Sequence, residues 1–412
     1  MRYKIRIYLL LITLILVAGC GQKKQTKIYN PAEVQFEAAY NPIFEGQLYP
    51  SLIMGLTNYA GTDDIYFFNV SLTSPANNAV LRIVIDSSTL NYVTIFQEIL
   101  PQKGERYTFT PLIKWKYENL YLIRQQGTTD LTFTCYINDE EVDIKNIRIT
   151  YRSANECPLS IKGVDKKTRD FRWMFSAYVN EDHPFIEEIL TEIMGQGIIN
   201  TVQGYQAGPK FVKEQVFAVW YYALNRGISY SSISCTSNPS RRANVQHIRF
   251  FDQVYNTRQA NCIDACVFFA SILRKIGLKP VIFVEPCHAY LGYYTDRNKK
   301  NIELLETTIT AWANFPELER HLDSNGLLPE NQYTKVSKYL SPEQDSLYRN
   351  GKMDFNTLKI NVAKSLFEKA SQYNTDKYNN NKKLFSDPEQ ITYQQLDIEN
   401  LRKLVQPIIS TK

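Results

Sequence analysis

The run Gln259, Ala260, Asn261, Cys262, Ile263, Asp264, Ala265 and Cys266, continuing to Gly277, constrains this chain more than any other stretch. Ala265, Phe269, Ile272, Leu273 and Ile276 recur at helical spacing and would line one buried face. Arg274 and Lys275 fall in the last turn, and Gly277 is a natural stop. Cys262 therefore falls at the first turn, where unpaired backbone N–H groups and the helix dipole favour an anion. A thiolate is the anion that a cysteine supplies, so the position suits a nucleophile.

Such a nucleophile needs a base. Downstream, residues 281–294 read as a strand, a break at Pro286 and a second strand beginning near His288. The next extended run, residues 302–308, offers the carboxylate of Glu306 to hold the imidazole. A helix carrying Cys, a strand carrying His and a following strand carrying an acid make a complete cysteine-nucleophile arrangement. Asp296 competes for the role of Glu306, and His247 is the alternative base. Asp264 points elsewhere on the helix from Cys262, and it reads as a cap or a ligand for another loop. Gln246 or Gln259 could donate to an oxyanion, together with the backbone N–H at Cys262. The sequence leaves that choice open.

At these residues the chain resembles the transglutaminase-like superfamily, the papain-related group of Cys-His-Asp folds. Cys262 and Asp264 match the family's opening motif, and Leu273-Arg274-Lys275-Ile276-Gly277-Leu278 matches its helix end. His288-Ala289-Tyr290 matches the histidine motif, and Glu306-Thr307-Thr308 stands where the acidic motif is expected. Ala260 replaces the usual glycine, Cys266 a small residue, and Glu306 an aspartate. The resemblance covers residues 217–308 and implies acyl transfer or hydrolysis at peptide or amide bonds. Cys262, His288 and Glu306 would be the catalytic residues, with His288 rather than His247 as base because the family places the base after the nucleophile.

A metal site is the chemical rival, because Cys262, Cys266, Cys287 and His288 cluster in sequence. Adjacent strand residues point to opposite sides, and the short Cys-x-x-Cys knuckle is absent, so no metal is expected. With no phosphate loop or dinucleotide fingerprint, no organic cofactor is expected either. The net charge of +5, from 47 basic and 42 acidic residues, is slight for 412 residues and gives no case for a nucleic-acid partner.

The N-terminus reads as a processing signal. Arg2, Lys4 and Arg6 precede a short apolar run that ends in Ala18-Gly19-Cys20. This resembles a bacterial lipobox, which implies cleavage before Cys20 and lipid on its thiol. Residues 1–19 would be the signal peptide and 20–28 a lipidated tether holding the chain to a membrane, in the bacterial cell envelope outside the cytoplasm. Export permits disulfides, and Cys135 with Cys157 is a possible pair.

Residues 29–154 read as an antiparallel, immunoglobulin-like β-sandwich, with strands near 64–72, 79–85, 131–137 and 144–151. Residues 155–172 read as a linker. Residues 173–325 would form the α+β transglutaminase-like domain, with helices near 184–194 and 213–225. Residues 326–412 would be a largely helical extension, with a helix over 357–373, a polar stretch at 376–387 and a closing helix within 391–409. The expected partners are a peptide, protein or cell-envelope amide substrate and a membrane through lipid on Cys20. The alternative reading is a catalytically inactive, lipid-anchored binding or assembly protein on the same scaffold. The sequence does not indicate an oligomeric state.

Overall fold

A computed structural model describes residues 29–56, 66–232, 242–387 and 389–409. The expected signal, Cys20 and Cys235 lie outside the described residues. Within them the fold is mixed α/β, with several sheets.

The first part runs through β1 (Glu37–Tyr40), β2 (Gln47–Leu48), β3 (Phe68–Thr73), β4 (Ala79–Ile85), β5 (Thr94–Leu100), β6 (Arg106–Phe109), β7 (Gly127–Ile137) and β8 (Glu140–Tyr151). These strands form two sheets, ordered β1-β3-β6 and β2-β8-β7-β4-β5. Period-two alternation decides what each sheet buries. Phe68, Val70 and Leu72 of β3 are buried, as are Ala79, Leu81, Ile83 and Ile85 of β4. The sheets meet where the Phe68 ring lies 5.8 Å from that of Phe133 on β7. The β7–β8 hairpin turns at Asn138 and Asp139, both at positive φ (49° and 66°), which suits a tight turn between twisted strands.

Residues 155–172, expected to be a linker, instead carry β9 (Glu156–Lys162) and β10 (Thr168–Asp170). Helices α1 (Phe185–Gly195) and α2 (Gly208–Arg226) follow, then β11 (Ser229–Tyr230), β12 (Ala243–His247), α3 (Phe251–Thr257), β13 (Gln259–Ala260) and α4 (Cys262–Lys275). The central strand β9 pairs antiparallel with both β10 and β12. Pro158 disguises β9 in the sequence, and it is tolerated because the β9–β12 register shifts beside its partner Val245. This pairing sets Gln246 opposite Cys157. Cys135 lies within β7 in a different sheet, and both thiols are free, which corrects the expected disulfide pair.

The last sheet is antiparallel and ordered β16-β15-β14-β17, from β14 (Pro280–Glu285), β15 (His288–Tyr294), β16 (Ile302–Leu305) and β17 (Gln394–Asp397). Ile282, Val284, Ala289 and Leu291 join the main core, which includes the apolar face of α4. Val281, Phe283, Tyr290 and Leu304 form a second cluster under the long helix α5 (Phe355–Phe385). The polar stretch 376–387 stays helical as far as Phe385, because Tyr378 and Phe385 both reach the sheet. Each ring lies 5.4 Å from that of Phe283. The expected closing helix within 391–409 is instead mainly β17 and the short helix Ile398–Leu401. The extension thus completes the sheet that carries His288. Among the described residues, no helix is long and apolar enough to cross a membrane.

Candidate active site

Cys262 is the first residue of α4, fixed there by a reciprocal cap. The Asn261 side chain accepts from Asp264 N at 2.9 Å, and Asp264 Oδ2 accepts from Asn261 N at 3.0 Å. The same carboxylate accepts from Arg249 N at 2.8 Å and from Arg249 Nη1 at 2.7 Å. Asp264 is fully buried. Burial raises its carboxyl above the usual range, against the lowering effect of its bonds to Asn261 and Arg249. Capping uses the N–H groups of Asp264 and Ala265. Those of Cys262 and Ile263 have no acceptor among the described residues, as the geometry of a helix start dictates.

His288 opens β15, just past a sharp turn in which Cys287 has a φ of 61°. Its Nε2 lies 2.8 Å from Glu306 Oε2. Glu306 is held in turn, with Oε1 accepting from Thr308 N at 3.2 Å and Thr308 Oγ1 at 2.6 Å. Its backbone N–H donates to Ala370 O of α5 at 3.2 Å. Burial alone would raise the Glu306 carboxyl, but His288 and Thr308 outweigh it and hold the group below the usual range. Burial likewise pulls His288 down, while hydrogen bonds to Cys262 and Glu306 prevail and push it up to about 9. With Nε2 held by the carboxylate, Nδ1 is the nitrogen left for the thiol.

A histidine stabilised in its charged form contributes fully below its usual value near 6.5, and the contribution is lost as pH rises through about 9. The melting temperature of the wild type should therefore fall relative to His288→Ala between pH 6.5 and 9. A constant difference across that window would contradict the charged pairing.

Cys262 and His288 line a cleft of about 150 Å³, together with Gln246, Arg172, Phe175 and Glu285. That is room for roughly five water molecules, or one small side chain. Gln246 reaches this lining from β12, with its Nε2 donating to His247 O at 2.9 Å. Gln259 lies on β13 and is not in the lining, so of the two glutamines only Gln246 joins the cysteine in the cleft. His247 is outside it, and burial lowers its pKa. Asp296 ties down its own turn, accepting from the backbone N–H groups of Asn298, Lys300 and Asn301.

The remaining cysteines differ in character. Cys266 is buried with its sulfur 3.7 Å from Thr307 Oγ1, and burial pushes its thiol well above the usual range. Cys287 is exposed at the turn. Among the described residues, no three His, Cys, Asp or Glu side chains are grouped to hold a metal.

Two charged groups in the lining escaped the sequence reading. Glu285 forms an ion pair with Lys377 of α5, and Arg172 forms one with Asp170 of β10. No local pattern marks either pair, because each depends on how strands and helices pack.

No family model matches the chain. It is similar to a threonine–tRNA ligase of Buchnera aphidicola subsp. Acyrthosiphon pisum (strain 5A), at 23% identity over 302 residues, covering 68% of this chain. The chain spans 38% of that ligase's length. A likeness at this level assigns no family.

Proposed function

We propose that this chain is a cysteine acyl-transfer enzyme with a papain-like module of the transglutaminase-like kind, following a β-sandwich domain. More particularly, we propose a lipid-anchored protein of the bacterial cell envelope that acts on peptide or amide bonds outside the cytoplasm. The localisation rests on residues 1–20 alone. The observation that carries the catalytic reading is the placement of Cys262 and His288 in the wall of one cleft, with the His288 ring held 2.8 Å from Glu306.

In the proposed mechanism the proton of the Cys262 thiol already resides on the charged His288 ring, and the sulfur attacks the substrate carbonyl carbon. The oxyanion is received by the unpaired N–H groups at the start of α4 and by Gln246, once its Nε2 leaves the His247 carbonyl. His288 returns the proton to the leaving amine, and Glu306 orients the ring throughout. The thioester then passes its acyl group to water or to a second amine.

The test is incubation of the full chain in detergent with cell-envelope peptides and a fluorescent primary amine, with products read by mass spectrometry. Cleaved or amine-linked products that vanish in Cys262→Ala support the proposal. Their ratio separates hydrolysis from transamidation. Products that persist unchanged in Cys262→Ala would overturn it.

A further inference from the structure

Arg172 stands at the start of a short turn of helix and is part of the same lining as Cys262 and His288. Its side chain is only 13% exposed, so little of the guanidinium is free to wander. Nη1 is fully used, donating to Asp170 Oδ1 and, at 3.0 Å, to the backbone carbonyl of Ile391. Asp170 is itself held by Gln394 of β17 and does not line the cleft. Nε and Nη2 have no acceptor among the described residues, and they are not among the atoms sealed away from solvent without a partner. Three N–H donors of a fixed, permanently charged fork therefore remain unused on a residue that lines the cleft.

Every charged side chain of the lining has an ion-pair partner, Arg172 through Nη1 alone. The Glu285 carboxylate is paired with Lys377, and the His288 ring with Glu306. A partly buried guanidinium with an open edge matches a carboxylate, which accepts two parallel N–H bonds in a desolvated site. The two elements that hold Nη1, β10 and the segment leading to β17, set the direction of that edge.

We propose that Arg172 is a specificity-determining residue that binds a substrate carboxylate beside the bond Cys262 attacks. The substrate class is then an acidic peptide, or an amide-linked amino acid with a free carboxylate close to the scissile bond. This inference rests on the acyl-transfer reading for its meaning, but its test reads the charge of the cleft without any turnover.

The probes are iodoacetate and iodoacetamide. In both, the Cys262 sulfur forms a bond to the methylene carbon, the carbon–iodine bond breaks and iodide leaves. The reagents differ in that one carries a carboxylate and the other a neutral amide. Peptide mapping separates alkylation of Cys262 from that of the exposed Cys287. The iodoacetate-to-iodoacetamide rate ratio at Cys262, relative to that of a small free thiol, should be about tenfold higher in the wild type. Arg172→Gln should cut this bias at least about threefold, the remainder belonging to the charged His288 ring, while changing the iodoacetamide rate less than about twofold.

An undiminished bias in Arg172→Gln, or equal slowing of both reagents, would overturn the assignment. Should that variant fail to melt cooperatively, Arg172→Met combined with Asp170→Asn removes both charges of the pair and gives the same reading. Slow labelling of wild-type Cys262 by iodoacetamide would count against the catalytic reading instead, and the ratio would still report on Arg172.

Discussion

His288→Ala is expected to lower acyl transfer by about 10²–10⁴-fold, the usual range for losing a positioned acid–base group. The loss should fall mainly on kcat, because in the proposed mechanism His288 acts on the proton in flight, whereas the walls of the cleft around Arg172 and Phe175 remain. Steady-state kinetics on whichever amide substrate the product screen identifies would check it. A variant that kept the wild-type kcat would show that the His288–Glu306 pair is structural.

The second large effect is on folding. Asp264→Ala should destabilise the chain by about 3–5 kcal/mol, because it strands the Arg249 guanidinium in a site where only 12% of that side chain is exposed. It also removes half of the reciprocal cap that fixes Cys262. Urea unfolding of the two proteins would measure the difference. A change below about 1 kcal/mol would mean that water replaces the carboxylate at little cost.

Much of the site could be read locally, since helix caps and strand starts depend on residues close in sequence. Cys262 takes its place from Asn261 and Asp264, and His288 from the turn at Pro286 and Cys287. What the sequence could not reveal depends on pairings between distant segments. The β9–β12 ladder brings Gln246 rather than Gln259 to the cleft, and it turns an expected linker into a central strand. β17 is too polar to announce itself, since in Gln394–Asp397 only Leu396 is buried, yet it pairs with β14 behind the site. α5 escaped over its last turns because Tyr378 and Phe385 are widely spaced in a run of Asn and Lys. Packing against Phe283 and Tyr290 holds that run as helix where local pattern gave no signal.

In the proposed enzyme Cys262 and His288 act as one chemical unit. The most direct test is the rate of iodoacetamide labelling at Cys262 across pH, in the wild type and in His288→Ala. Labelling in the wild type at neutral pH should be at least about tenfold faster than in the variant, where the His288 partner is gone. Superimposable profiles for the two proteins, with Cys262 accessible in both, would contradict it.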